Sequence, residues 1–246
     1  MGCEMRTMHL FAGAGGGLLA DLILGHQPVI AIEWDRYACA VLRERAADGW
    51  FPELRVWEGD VRAFDAADYA GVVDCIHAGF PCQDISSAGK QAGLGEGTRS
   101  GLYREVLRIA SDIRPRYLFL ENVAAIISQG VGAVYTDLAS LGYEFRSVCV
   151  RASDVGANHH RDRWWCLARR QDVSNTDSTR CEKGRLPQRI QAQNTRDSSF
   201  SWWASQSAPS GMADGVAHRV DRLKAIGNGQ VPLQTAVAFK ILESMY

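Results

Sequence analysis

The sequence predicts an α/β protein with a doubly wound, mostly parallel sheet. Short apolar runs alternate with amphipathic stretches from residue 8 to residue 168. Most of these runs are apolar throughout, which is typical of strands covered on both faces. The alternation of strand and helix favours parallel strands joined by crossover helices, with ligands bound at the carboxyl ends of the strands. The 246 residues suffice for one such domain and a small appendage.

Seven strands and several helices follow from these patterns. The predicted strands are residues 8–11, 28–33, 54–57, 72–78, 117–121, 143–150 and 164–168. The predicted helices between them are residues 37–46, 102–113 and 131–141. Pro115 ends the second of these helices, and Pro232 suits the first turn of a last helix near the end of the chain.

Composition and charge change along the chain. Residues 170–215 are polar with few aliphatic side chains, which is typical of an irregular surface segment. Residues 1–150 hold 13 basic and 19 acidic residues, whereas residues 151–246 hold 14 and 9. A basic second half indicates a polyanionic partner, although chance asymmetry on a solvated surface explains it equally well.

The cysteine spacing and the hydropathy argue against a zinc-binding, a disulfide-linked and a membrane-spanning protein. Seven cysteines without Cys-x-x-Cys spacing argue against a zinc site and against a disulfide framework, and they favour a reducing compartment. No apolar run approaches ~18 residues, so we expect no membrane span.

A glycine-rich turn follows the first predicted strand and opens a helix. It runs from Phe11 through Gly13 and Gly15 to Gly17. Glycines let the backbone approach a ligand closely, and a helix amino terminus favours carboxylate or phosphate. An ordinary tight turn would have the same composition.

Two further strand ends favour an adenosyl ligand. Glu33 ends the second strand, about twenty residues on, where an acid commonly binds ribose hydroxyls. Trp34 can stack on an adenine face or simply pack against the protein. Asp60 ends the third strand and can accept a hydrogen bond from an adenine amino group or merely form a turn.

Cys82 is the candidate nucleophile. It follows Pro81 at the end of the fourth predicted strand and precedes a polar, glycine-rich segment at residues 83–101, which is long enough for a lid. Most cysteines are inert and buried. A nucleophilic thiol needs a pKa lowered by positive charge, which Arg161 and Arg163 are candidates to supply.

Glu121 is the candidate acid. Because it ends an otherwise apolar strand, we expect partial burial and a raised pKa, so that the carboxyl group carries a proton and contacts a substrate ring nitrogen. The alternative is a structural carboxylate bonded to backbone. His159 and His160 point to opposite faces of a strand and form a poor chelate, so no metal is expected. Arg161 and Arg163 share a face at period two and can bind one anion.

These residues resemble, in order and spacing, the motifs of the DNA (cytosine-5) methyltransferase family, in a compact form like that of phage or prophage. The likeness covers about residues 1–170 and 216–246. The matching motifs are the turn from Phe11 to Gly15, Glu33-Trp34, Asp60, Pro81-Cys82, Glu121-Asn122-Val123, His159 to Arg163 (with His159 for the family's Gln) and Gly227-Asn228. The family's Arg/Thr-rich motif is not recognisable, and the variable region is short.

The resemblance implies a Rossmann-like fold that uses S-adenosyl-L-methionine to methylate C5 of cytosine in DNA. Cys82 would add to C6 of a flipped-out base, Glu121 would bind or protonate N3, and Arg163 with Arg161 would support the base. The implied cofactor-binding residues are Phe11, Gly13, Gly15, Glu33, Trp34, Asp60, Val61, Pro81, Leu102 and Asn228.

The resemblance also implies an organisation and a setting. Residues 1–169 would be the catalytic and cofactor-binding domain, residues 170–215 a short target-recognition region, and residues 216–246 the return to the catalytic domain. Basic side chains of residues 170–196 would contact double-stranded DNA. We expect a monomer in the cytoplasm of a bacterium or an infected host cell, and a cognate restriction endonuclease stays open as a partner.

Three other functions compete with this one. An RNA cytosine-5 methyltransferase would share the fold and the charge pattern. A silent DNA-binding relative would not need Cys82, Glu121 and Arg163 intact. A small-molecule methyltransferase would need neither the pair of Cys82 and Glu121 nor a basic variable region.

Overall fold

In a computed structural model, residues 4–81, 101–171, 220–221 and 229–246 are described. Their strands are β1 (Arg6–Leu10), β2 (Gln27–Glu33), β3 (Arg55–Glu58), β4 (Cys75–Gly79), β5 (Tyr117–Val123), β6 (Tyr143–Arg151) and β7 (Asp162–Arg170). Their α-helices are α1 (Gly16–Leu24), α2 (Arg36–Ala47), α3 (Gly101–Ile113), α4 (Ile126–Gln129), α5 (Val131–Ser140) and α6 (Pro232–Glu243).

The strands form one seven-stranded sheet in the order β3-β2-β1-β4-β5-β7-β6. All neighbouring pairs from β3 to β5 are parallel, whereas β7 runs antiparallel to both β5 and β6. The predicted doubly wound, mostly parallel sheet is therefore confirmed. The strand order reverses between β1 and β4, and ligands of open α/β sheets bind at such a switch point.

Element boundaries differ from the sequence prediction where turns compete with strands. β1 ends at Leu10, because Phe11 adopts a positive φ of 58° and starts the glycine turn. β4 begins only at Cys75, because the backbone N–H groups of Val72 and Val73 both donate to the carbonyl of Tyr69 in a turn. Helix α4 was not predicted, since four residues are too few for a periodic pattern.

Apolar side chains cover both faces of the sheet. On β5, Leu118 and Leu120 face the cluster that contains Val106 and Ile109 of α3. Phe119 points the other way and stacks on Trp165 with 5.2 Å between ring centroids. This two-sided burial explains why the strand sequences are apolar throughout rather than alternating.

The last helix returns the chain to the sheet. Helix α6 packs on α1, β6 and β7. Gln234 is fully buried, and its Nε2 donates to the carbonyl of Val150 at 2.8 Å and to that of Arg161 at 2.9 Å. The predicted boundary at residue 169 lies close to the end of a described range, and the boundary at residue 216 lies outside the described residues. The three-part division therefore stays a prediction.

The helices of the described ranges include none that is both long and apolar enough to cross a membrane.

Candidate active site

The carboxyl ends of β1, β2, β4 and β5 open into one cleft of about 660 Å³, within the ~300–1,000 Å³ usual for small-molecule sites. The sequence-predicted residues that line it are Phe11, Gly13, Glu33, Trp34, Asp60, Val61, Pro81, Leu102, Glu121, Arg161 and Arg163. Gly15 lies at the start of α1 and does not line it. The predicted residues Cys82 and Asn228, the segment 83–100 and most of the basic segment fall outside the described residues.

The glycine turn is held against the end of β2. Gly13, with φ of 56°, donates its backbone N–H to Oε2 of Glu33 at 2.7 Å. The chain near residue 230 crosses the start of α1 so closely that a Cβ on Gly16 would lie 2.2 Å from the backbone oxygen of Gln230. Gly16 therefore permits a close approach of backbone to backbone.

Glu33 has both a structural and a ligand-binding capacity. Its carboxylate is largely buried and accepts hydrogen bonds from the backbone N–H groups of Gly13, Trp34 and Asp35, at 2.7, 2.9 and 2.8 Å. A carboxylate offers about four acceptor positions, so one of them stays available, and Glu33 lines the cleft.

Trp34 and Asp60 stand at the rim of the same cleft. The Trp34 side chain is 75% exposed and so does not serve core packing. Asp60 accepts a hydrogen bond from the backbone N–H of Arg62 and caps a short 3-10 turn. The turn-forming interpretation of Asp60 is therefore realised, and the residue also faces the cleft.

The backbone that leads to Pro81 is fixed to β5. The buried side chain of Asn122 donates from Nδ2 to the carbonyl of Phe80 at 3.1 Å and accepts from the N–H of Val123 at 2.8 Å. Asn122 thereby anchors Phe80, which follows β4 and directly precedes the Pro81-Cys82 dipeptide.

The cysteines within the described ranges are poor nucleophiles. Burial raises the pKa of the thiols of Cys75, Cys149 and Cys166, and it raises that of Cys39 to about 11. A thiol that stays protonated at neutral pH reacts slowly.

Glu121 lies at the end of β5 in a polar pocket within the cleft. Burial raises the pKa of its carboxyl group, against the opposing charge of Arg163 and a hydrogen bond from the Gln230 side chain. The Arg163 Nε atom lies 2.8 Å from Glu121 Oε1. A Cβ on Gly79 would lie 2.9 Å from both Glu121 Oε2 and Gln230 Nε2, so this pocket requires the glycine.

The two arginines reach the cleft by different routes. Arg163 belongs to β7, whereas Arg161 precedes that strand with φ of 25° and donates to the carbonyl of Gly229. The predicted reason for their common direction, a shared strand face, is therefore wrong. The turn at Arg161 and the C-terminal segment place the Arg161 guanidinium in the cleft. Glu121 holds the Arg163 guanidinium there by an ion pair.

Gln230 and Gln234 were missed by sequence reasoning. Gln230 contacts Glu121, and Gln234 holds the backbone of Arg161. An isolated glutamine has neither a charge nor a spacing that marks it in a sequence. The one available signal for Gln230 and Gln234 is their position just after the Gly227-Asn228 motif.

Comparison with known proteins agrees with this geometry. Residues 5–211 match the family model for C-5 cytosine-specific DNA methylase. The type II methyltransferase M.CviJI of Paramecium bursaria Chlorella virus IL3A is 36% identical over 171 residues, which is 69% of this chain and 44% of that protein. The type II methyltransferase M.Eco47II of Escherichia coli is 35% identical over 174 residues, 69% of this chain and 40% of that protein.

Solved structures agree as well. A DNA modification methyltransferase encoded within an E. coli prophage superposes with a TM-score of 0.54 at 26% identity, over 70% of this chain and 49% of that one. Dnmt2 of S. pombe superposes with a TM-score of 0.56 over 68% of this chain and 51% of that one, and at 18% identity it supports the fold alone.

The sheet order and the cleft define a Rossmann-like methyltransferase domain. The chain belongs to the C-5 cytosine-specific DNA methylase family, whose methyl donor is S-adenosylmethionine. The predicted family and fold are thus confirmed. The chain spans about half the length of the curated relatives it matches.

Proposed function

We propose that this protein methylates C5 of cytosine in DNA, with Cys82 as nucleophile and S-adenosylmethionine as cofactor. The observation that carries the proposal is the buried pair of Glu121 and Arg163. It lies in the same cleft as Glu33 and Pro81, the residue that precedes Cys82.

The residues around the cleft fit the cofactor. The free acceptor direction of the Glu33 carboxylate suits ribose hydroxyls, and the exposed indole of Trp34 suits an adenine face. Asp60 suits the adenine amino group. The bound cofactor would supply an electrophilic methyl group.

Each protein group then has a chemical task. The Cys82 thiolate forms a bond to C6, which makes C5 nucleophilic. Burial raises the pKa of Glu121, and its carboxyl group hydrogen-bonds or protonates N3, which stabilises the charge that develops in the ring. After C5 has taken the methyl group, C5 loses its proton to water, the electrons of that bond re-form the double bond between C5 and C6, and Cys82 leaves C6 as a thiolate.

The burial of Glu121 supports a flipped-out base as substrate. Its side chain is only 11% exposed, so the ring edge of a base inside a duplex does not reach it. Extrusion of the base costs a few kcal/mol and is repaid by contacts in the cleft and along the backbone. Basic residues of the segment 170–196 are our candidates for the phosphate contacts.

The test is transfer of labelled methyl from S-adenosylmethionine to unmethylated genomic DNA, with transfer RNA as a parallel substrate and bisulfite sequencing of the product. We expect label in DNA, at cytosines within one short sequence motif. Label in RNA alone would replace DNA as the substrate. Absence of label from both polymers, with the cofactor bound, would overturn the proposed activity.

A further inference from the structure

A buried polar cluster lies beneath the glycine turn, behind the candidate active site. His9 of β1 and His77 of β4 are direct register partners on adjacent parallel strands. Asp21 of α1 faces both of them. The three residues are 2%, 3% and 4% exposed. Ionisable side chains are rarely buried so deeply without a partner that offsets the loss of hydration.

Asp21 is well satisfied within this cluster. The Nε2 atom of His9 donates to its Oδ2 at 2.7 Å, and the hydroxyl of Thr7 donates to the same oxygen at 2.5 Å. Nδ1 of His26 lies 3.6 Å from the other carboxylate oxygen. These contacts orient Asp21 and His9 toward one another.

His77 is not satisfied in the same way. Its Nε2 atom is fully buried and has no hydrogen-bond partner among the described residues, while its ring centroid lies 4.8 Å from that of His9. A buried polar nitrogen without a partner destabilises the folded state. A purely hydrogen-bonded network accounts for Asp21 but leaves this cost unexplained.

A small cavity adjoins the cluster. Its volume is about 40 Å³, and its lining includes His9, His77, Gly17 and Gln230. A water molecule needs about 10–15 Å³ of such space and polar neighbours, so this cavity has room for water beside the two imidazoles.

We propose that His9, Asp21 and His77 form a site for one divalent transition-metal ion of the Zn²⁺ class. Their potential ligand atoms all lie within 4.8 Å of one another. Two imidazole nitrogens, one carboxylate oxygen and a water from the cavity make a four-coordinate set that suits Zn²⁺.

Binding requires only local changes. The ion replaces the proton shared by His9 and Asp21, which leaves to solvent. Metal–ligand distances near 2.0–2.2 Å place tetrahedral ligand atoms about 3.4 Å apart, so the His9 and Asp21 atoms at 2.7 Å separate, and ligand atoms as far as 4.8 Å apart approach one another, each by roughly 1 Å. Thr7 and His26 then hold the carboxylate from behind. The ion would tie β1, β4 and α1 together.

The test uses the full chain without a histidine tag, stripped by a chelator. We would titrate it with Co²⁺ by absorption and with Zn²⁺ by thermal unfolding. We expect one ion per chain, a tetrahedral Co²⁺ spectrum and a rise in Tm of about 5 °C or more at saturating Zn²⁺. Absence of both signals would overturn the site.

Variants locate the ion. His77→Asn and the isosteric Asp21→Asn each remove one ligand, and we expect at least about a 10-fold loss of affinity in each. The double variant His159→Asn, His160→Asn is the matched control and should bind as the wild type does. Folding of each variant is checked by its metal-free Tm. Equal binding by the wild type and by whichever cluster variant folds would place the ion elsewhere and contradict the proposal.

Discussion

The Nε atom of Arg163 lies 2.8 Å from Oε1 of Glu121, and both side chains are mostly buried. The antiparallel register of β5 and β7 produces this pair, because Arg163 stands opposite Val123, two residues beyond Glu121. Two motifs that lie about forty residues apart in the sequence therefore meet in one cleft. The positive charge of Arg163 offsets part of the effect of burial on the Glu121 carboxyl group. This environment suits an acid that acts by hydrogen bonding.

Removal of Arg163 should reduce methyl transfer far more than it reduces stability. We expect Arg163→Met to lower kcat about 100-fold, because the cleft loses the cation that orients Glu121. The matched control is Arg169→Met, which breaks the ion pair with Glu144 at the other end of the same strand. Equal losses of kcat in both variants would reduce the Arg163 pair to a structural role.

The free energy of unfolding should depend on pH in a way that reflects the raised pKa of Glu121. Burial raises its pKa above the usual 4.5, with Arg163 opposing. Below pH 4.5 the group is protonated in the folded and the unfolded state. As pH rises, the unfolded state ionises first, so the wild type loses stability relative to Glu121→Gln until the raised pKa is passed.

Urea unfolding of both proteins between pH 4.5 and 7.5 measures this difference. Arg163→Met removes an interaction that lowers the pKa and should therefore steepen the loss. A difference between wild type and Glu121→Gln that stays constant with pH would contradict the raised pKa.

Sequence reasoning predicted the sheet and most of the cleft for physical reasons. Three apolar runs are each followed by an acidic residue, namely Glu33, Asp60 or Glu121. The run indicates the strand, and the acidic residue indicates the edge of the sheet at which the strand ends. It failed where a role depends on contact alone. Gln230 and Gln234 act through the C-terminal return, which no local pattern predicts.

The buried cluster was missed for a related reason. His9 and His77 become neighbours only because β1 and β4, far apart in the sequence, pair in register. The adjacent His159-His160 pair is the more conspicuous pattern in the sequence, although adjacency in sequence is not proximity of ligand atoms.

Loss of Glu33 should weaken cofactor binding. We expect Glu33→Ala to raise the Kd for S-adenosylmethionine about 10-fold or more, because both a ribose acceptor and the tie to Gly13 are removed. Glu58→Ala is the matched control, since Glu58 is the register partner of Glu33 on β3 and pairs with Arg43. Calorimetry that finds the same affinity in both variants would contradict the assigned pocket.

Gly79 should be intolerant of a methyl group. We expect Gly79→Ala to lower kcat at least about 10-fold, because its Cβ would lie 2.9 Å from Glu121 Oε2 and displace that carboxyl group. The control is Gly132→Ala in helix α5, where a Cβ meets no atom of the described residues within 4 Å and should stabilise the helix by about 0.5–1 kcal/mol. Full activity of the Gly79 variant would argue against a fixed Glu121.

The most direct test of the central claim is capture of the bond between Cys82 and cytosine C6. In DNA that carries 5-fluorocytosine, C5 has no proton to lose after methylation, so the thiol cannot leave. We expect intact-mass and peptide measurements to find methylated DNA attached at Cys82, in the wild type and in the Cys149→Ala control but not in Cys82→Ala. Methylation of ordinary DNA without any such adduct, or an adduct at another residue, would contradict the account.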